Sequence, residues 1–290
     1  MSTLLDIQDL RLSFKGLRGI TDVLHGISLS IAAGERVALV GESGSGKSVI
    51  ARIVLGLLQE TRSARVSGKV GFDGAEINTM RPRDRAKLRG TEMSMIFQDP
   101  TSSLNPTFTI GNQFAEVMRR RDPKLSRAAC DARAIEMLTE VSIPNPDRIL
   151  ENYPFQLSGG MNQRVMIAMA LVNHPKLLLA DEPGTALDVS VQAQTLRLMH
   201  DLVEKHGTAV LFISHNLGVV REFADRVYVI YRGNIVEEGP TASVFHNPGH
   251  AYTRALMDAV PRITGAGLPE VPEVSDAFLA PMVRHDRGAA

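Results

Sequence analysis

The stretch "GESGSGKS", residues 41–48, sets three glycines, three serines and one lysine in eight positions. The apolar "RVALV" (36–40) precedes it and "VIARIVLGLL" (49–58) follows, an order that reads strand, glycine-rich turn, helix. Glycines let a backbone take positive φ and approach a ligand with no Cβ between. The N–H groups of such a turn converge on an anion, and the first turn of the helix adds its own donors. Gly41-x-x-x-x-Gly46-Lys47-Ser48 has the spacing of a phosphate-binding loop. In that geometry the backbone from Gly41 through Glu42, Ser43, Gly44, Ser45 and Gly46 cradles phosphates, and Val49 lies in the first helical turn. Lys47 reaches the β- and γ-phosphates, and the Ser48 hydroxyl ligates Mg²⁺. The dinucleotide fingerprint G-x-G-x-x-G does not fit, because the glycines fall at 41, 44 and 46.

At 290 residues the chain can bury a real core and hold one large domain or one and a half. Lysine plus arginine equal aspartate plus glutamate at 32 each, so no strong field points to nucleic acid or anionic lipid. One cysteine, Cys130, excludes an internal disulfide framework and a cysteine-based metal cluster within this chain. The opening "MSTLLDIQDL" has no basic head before an apolar run, so no signal peptide is expected. The longest apolar run, "VMIAMALV" at 165–172, is far short of the roughly 20 residues a membrane span needs. The chain reads as cytosolic.

Along the chain the pattern changes character twice. Residues 4–40 hold β-like runs, "LLDIQDLRLSF" and "VLHGISLSI", before the strand at 36. "SGKVGFDGAEI" and "MSMIFQ" are again strand-like. From about 105 to 173 helical spacing takes over in "IGNQFAEVMRR", "RAACDARAIEMLTEV" and "GGMNQRVMIAMALV", with prolines at the breaks. In the last of these, Val165, Ala168, Met169 and Val172 fall on one face, read as core. Strand–helix alternation then resumes through "KLLLA", "VQAQTLRLMHDLVEK", "AVLFIS", "LGVVREFA" and "RVYVIY". The expected fold is an α/β core with an N-terminal antiparallel β subdomain and an inserted α-helical subdomain. From about 264 the tail loses periodicity and gains proline and glycine, so it is expected to be partly irregular and dispensable for nucleotide binding.

A second constellation ends the apolar run "LLLADEP" at 177–183. A buried strand places Asp181 at its carboxyl end, where open α/β sheets bind ligands, and Asp181 can hold Mg²⁺. Glu182, one residue on, can face an attacking water. "LSGGM" at 157–161 puts Ser158 at a helix N-cap followed by Gly159 and Gly160, a second anion site at a dipole end. "FISH" puts His215 after a strand, and Gln98 ends "MSMIFQ".

In this combination and order the chain resembles the ATP-binding subunit of an ABC transporter over roughly residues 4–260. It carries a Walker A at 41–48, a Q-loop at Gln98, the signature "LSGGM", a Walker B ending in Asp181 and Glu182, a D-loop "ALD" at 186–188 and a switch histidine at 215. The resemblance implies ATP and Mg²⁺ as ligands, with Phe14 as the aromatic that stacks on adenine and a strand beginning at Val23 after it. It implies that Glu182 polarises the water, His215 contacts the γ-phosphate, and Gln98 approaches both metal and water. It also implies a head-to-tail pair of subunits, in which Ser158, Gly159 and Gly160 serve the partner's nucleotide and Asp188 couples the two sites.

"MIFQDPTSSLNP", "YPFQLSGGMNQRVMIAMAL" and "NPGHAYTRALMDAVPRI" look like the dipeptide, oligopeptide and nickel branch, with residues 247–290 as its C-terminal extension. That branch implies a second ATPase subunit (a paralogue), two membrane permease subunits and an extracytoplasmic solute-binding protein. It places this subunit peripherally at the cytoplasmic face of the inner membrane, with no nucleic acid partner. The tail after 260 has no cysteine, so no iron–sulfur cluster is expected there. The alternatives are the same role for nickel or another small solute, or a soluble ABC-type ATPase of translation or repair. One cassette, no heptad run and one cysteine weigh against the latter. A GTPase or small-molecule kinase would leave "LSGG" unexplained and lacks N-K-x-D.

Overall fold

The structure, a computed structural model, describes residues 2–17, 19–59, 61–99, 103–184, 189–259 and 275–286. The chain opens with β1 (Thr3–Gly16), β2 (Gly19–Ala32), β3 (Arg36–Val40), α1 (Lys47–Val54), β4 (Ala64–Phe72) and β5 (Ala75–Glu76). Next come α2 (Pro82–Leu88), β6 (Met93–Ile96), α3 (Ile110–Arg121), α4 (Arg127–Glu140), the short α5 (Pro146–Ile149) and α6 (Gly159–Leu171). It closes with β7 (Leu177–Asp181), α7 (Val189–His206), β8 (Ala209–Ile213), α8 (Leu217–Phe223), β9 (Arg226–Tyr231), β10 (Asn234–Pro240), α9 (Thr241–His246), α10 (Ala251–Asp258) and β11 (Val283–Arg284). The chain divides into two compact units: Met1–Ala32, Arg36–Thr79 and Phe212–Ala290 form one, Ala33–Glu35 and Met80–Leu211 the other.

The first unit holds an antiparallel sheet in the order β2-β1-β4-β5. Along β1 the buried side chains before Asp9 are Leu4, Leu5 and Ile7, and beyond it the alternation runs on even positions, Leu10 and Leu12. The register slips between Ile7 and Leu10, and Asp9 has φ 47°, so a bulge resets which face is apolar. Val23 lies inside β2, which already begins at Gly19; the hairpin is longer than its apolar residues suggest because exposed Ile20 and its neighbours still pair with β1.

In the same unit β3 pairs in parallel with β9, and β9 returns antiparallel to β10. The connection is the two-residue turn Arg232-Gly233 with φ 45° and 74°, the left-handed pair that matches strand twist. Val37, Ala38, Leu39 and Val40 are fully buried, as are all residues of β9, the signature of strands covered on both faces. Phe212 is fully buried and stacks on Phe223 with ring centroids 4.6 Å apart.

The second unit contains the expected helical region and the parallel pair β6–β7. Thr109 and Ser126 cap α3 and α4 by accepting the N–H of Asn112 and Ala129. Cys130 is a free, buried thiol on α4. Around α6 the core reading holds for Val165, Ala168 and Val172, all fully buried, but burial is not confined to that face. Val165, Met166, Ile167, Ala168, Ala170 and Leu171 are all buried while Met169 is only half-buried, so this helix is covered on most of its circumference.

The tail, expected to be partly irregular, holds two short ordered elements within residues 275–286; residues 260–274 lie outside the described residues. Asp276–Leu279 forms a 3₁₀ turn, and Val283–Arg284 adds parallel to Glu237 and Glu238 of β10. Elements of four and two residues are too short to show periodicity, and single anchors hold them instead. Among the described residues no helix is long and apolar enough to cross a membrane.

Truncating Phe212→Ala leaves a cavity where a stacked ring stood. It should destabilise the protein by about 3–5 kcal/mol, read as a lower denaturation midpoint at unchanged m.

Candidate active site

The glycine-rich loop is the best-defined part of the site. Gly41, Gly44 and Gly46 have φ of 155°, 81° and 104°. A Cβ at Gly41 would stand 2.1 Å from the Ile230 carbonyl oxygen, and one at Gly46 would stand 2.7 Å from Leu24 Cδ2. Only glycine fits those two positions. Gly46 is the N-cap of α1 and offers no side chain to cap it, so the helix presents backbone donors and the positive end of its dipole. The buried Ser45 hydroxyl has no hydrogen-bond partner among the described residues. A phosphate-sized anion fits this cradle chemically.

Lys47, almost fully buried, donates to the carbonyls of Gly41 at 2.9 Å and Glu42 at 2.7 Å. The ammonium is thus folded over the loop that sequence alone assigned to phosphate. The Gly233 N–H donates to the Ser45 carbonyl at 3.1 Å, so the β9–β10 turn braces the loop from below. The Tyr252 hydroxyl accepts the Glu42 N–H at 2.9 Å. Sequence reasoning missed Tyr252. Its one signal is an aromatic with a polar tip on the apolar face of a helix, which when buried demands a partner. Burial and the neighbouring negative groups hold its hydroxyl protonated, pushed up to about 12, outweighing the Glu42 N–H bond.

Phe14 sits half-buried in β1, opposite Thr21 and Ala64. His215 is exposed, two residues past β8. Both belong to the same unit as the loop.

In the other unit β7 is buried throughout and ends on Asp181, itself 5% exposed. Glu182 follows half-buried with φ 49°, a left-handed backbone that costs of order 1–3 kcal/mol in a non-glycine residue. Pro183 and Gly184, with φ 96° at the glycine, complete this reversal. Gln98, exposed two residues beyond β6, donates through Nε2 to Glu182 Oε2 at 3.1 Å. The structure therefore brings together two residues 84 positions apart that the sequence placed in separate motifs. Asp181 and Ser48 are hard oxygen donors of the type Mg²⁺ takes beside substrate phosphates. No cluster of three or more His, Cys, Asp or Glu residues that could hold a metal alone occurs among the described residues.

Ser158 caps α6, accepting the Met161 N–H at 3.3 Å, as its position predicts. Ser158 and Gly159 are exposed, so the N–H end of α6 faces outward. Asp188 lies outside the described residues.

Comparisons with known proteins agree with this geometry. Residues 24–185 match the family model described as ABC transporter, and residues 236–277 match the oligopeptide/dipeptide transporter C-terminal region. A probable peptide ABC transporter ATP-binding protein of Sinorhizobium fredii is 47% identical, covering 97% of this chain and 84% of its own length. An oligopeptide transport ATP-binding protein of Bacillus subtilis is 44% identical over 93% of this chain and 75% of its own. Among solved structures, a dimeric ATP-binding cassette in a post-hydrolysis state with ADP and Pi superposes with a TM-score of 0.73 at 29% identity. That match covers 82% of this chain and 99% of the other.

Replacing Lys47→Ala removes the ammonium while leaving the glycine backbone in place. ATP affinity should fall about 10- to 100-fold, the weight of one or two charge-assisted hydrogen bonds. Unchanged affinity by equilibrium titration would remove the phosphate-loop assignment.

Proposed function

We propose, since this chain belongs to the ABC transporter ATP-binding family, that it powers an importer of di- and oligopeptides by hydrolysing ATP. As a transporter ATPase subunit it works with membrane permease partners. The observation that carries the cargo reading is the match of residues 236–277 to the peptide-transporter C-terminal region. Relatives named for peptide, oligopeptide and D,D-dipeptide transport support it. The finer assembly we infer is a head-to-tail pair with a paralogous ATPase, two permease subunits and an extracytoplasmic binding protein. The pair would sit at the cytoplasmic face of the inner membrane.

In this reading the loop Gly41–Gly46 and Lys47 hold the phosphates, Val49 backs the first turn and Phe14 stacks on the base. Ser48, Asp181 and Gln98 would hold Mg²⁺, which neutralises charge on the phosphate oxygens. Glu182 orients the attacking water and accepts its proton, and the Gln98 amide bond to Oε2 fixes the carboxylate's orientation. His215 donates to the γ-phosphate. Ser158, Gly159 and Gly160 present the α6 N-terminus to the partner's nucleotide, and Asp188 couples the sites. A γ-phosphate gripped by donors from both subunits bridges the dimer, and its hydrolysis releases the bridge. Phosphoryl transfer needs positioning and charge stabilisation rather than a covalent nucleophile, which suits this residue set.

Reconstitution with permease subunits and a solute-binding protein tests the cargo. Peptide-loaded binding protein should stimulate ATP turnover. Stimulation by a nickel-loaded binding protein, with none by peptide, would reassign the solute.

Glu182→Gln keeps the size of the side chain and its ability to accept a hydrogen bond but cannot take up a proton. ATP binding should persist while turnover falls by roughly 10²–10⁴, trapping the closed pair. The checks are phosphate release and crosslinking across the Ser158 interface. Near-normal turnover would leave the acid pair resting on Asp181 alone.

A further inference from the structure

We propose that Tyr252 is a positioning residue for the phosphate loop and that the segment 275–286 is the clamp that holds it there. The inference rests on the reading of residues 41–48 as the nucleotide loop. It begins with one peptide unit. The N–H of Glu42 and the carbonyl of Gly41 are the two ends of the same peptide group. Tyr252 accepts from the first at 2.9 Å, and Lys47 donates to the second at 2.9 Å. Gly41 has no Cβ to resist rotation of that plane, so these two bonds set its orientation. The same Lys47 also donates to the Glu42 carbonyl, and the orientation of this peptide therefore fixes where the ammonium points.

Tyr252 does not reach the loop unaided. Its ring lies 4% exposed in a trio with Tyr231 and Phe278. The centroids are 4.4 Å from Tyr231 and 5.5 Å from Phe278, and the Tyr231 and Phe278 rings meet edge-on at 5.6 Å. Phe278 comes from the C-terminal segment. A second link runs through His250, the N-cap of α10. Its Nδ1 accepts the Tyr252 N–H at 3.2 Å, which leaves the ring proton on Nε2, 3.3 Å from the Ala280 carbonyl.

The segment is fastened at Glu237, which is fully buried. One carboxylate oxygen is 2.6 Å from His285 Nε2 and also accepts the Gly249 N–H at 2.7 Å; the other accepts the His250 N–H at 3.0 Å. One carboxylate thus joins β10, the start of α10 and the segment carrying His285. The His285 N–H adds a ladder bond to the Glu238 carbonyl at 2.9 Å. A Cβ at Gly249 would come 2.6 Å from Val283 Cγ1, so the segment lies in direct contact with the residues leading into α10. The described segments beyond β10, α10 and residues 275–286, therefore act together as a support for the loop.

Three variants of the full chain, with Lys47→Ala as the reference, test this by ATP titration and steady-state turnover. Tyr252→Phe deletes only the hydroxyl. It should raise the KM and Kd for ATP about fivefold, the weight of one net hydrogen bond, with kcat changed less than about twofold. Its melting temperature should stay near the parent's, which separates positioning from stability. Phe278→Ala should raise the same constants, and the double variant should match Tyr252→Phe alone, because the clamp acts through the hydroxyl. Unchanged KM and Kd in Tyr252→Phe, beside a Lys47→Ala variant that loses ATP, would overturn the inference and spare the loop assignment. A double variant whose losses multiply would overturn the clamp. Full ATP affinity in Lys47→Ala would instead remove the loop reading beneath both.

Discussion

The site depends on how closely the phosphate loop is pressed onto the strands beneath it. The Ile230 carbonyl oxygen leaves no room for a side chain at Gly41, and Leu24 leaves none at Gly46. The turn at Arg232-Gly233 then reaches up to donate to the Ser45 carbonyl. At those two positions the loop can offer a ligand only its backbone N–H groups, with the Lys47 ammonium beside them. That is what an anion of high charge density calls for, because fixed dipoles cost no reorganisation when the ligand arrives.

Much of this was legible in the sequence, for identifiable reasons. The loop was readable because three glycines, a lysine and a serine at fixed spacing between a strand and a helix have few other uses. Ser158 was readable as a cap because capping depends on local chemistry alone. The contact between Gln98 and Glu182 was not readable as geometry, since it joins the ends of two strands 84 residues apart. The burial of α6 was only partly readable, because a helix covered on most of its circumference has no single apolar stripe to count. The short ordered elements of the tail were not readable for the opposite reason. Phe278, Val283 and His285 each act singly, and periodicity carries no information about single anchors.

The two acids at the end of β7 differ in environment in a way that suits different tasks. Asp181 is buried at the strand end, where a fixed carboxylate can hold a metal without wandering. Glu182 is half-buried on a left-handed backbone that turns it out of the strand direction and toward the Gln98 amide. Strain of that kind persists only where surrounding structure imposes it, and here the reversal through Pro183 and Gly184 does so. The role proposed for Glu182 asks for a carboxylate of fixed orientation that water can reach, and the Gln98 bond to a half-buried side chain is compatible with both.

Glu237 shows the converse choice. A lone carboxylate buried this deeply would be driven toward its neutral form, and burial does push it up. The Thr253 side chain, then His285 and the N–H groups of Gly249 and His250, more than offset that, holding the carboxyl below the usual range. A carboxyl depressed on folding contributes stability that is fully present above its unfolded value of about 4.3 and is lost as pH falls through the lower folded value. Across the neutral range this carboxylate therefore stays charged, and the chain end stays fastened to β10 and the start of α10. The stretch matched as the peptide-transporter C-terminal region, 236–277, contains Glu237, His250 and Tyr252. Its physical content in this chain is a buried charge and one tyrosine of an aromatic trio, whose hydroxyl accepts the Glu42 N–H of the glycine-rich loop.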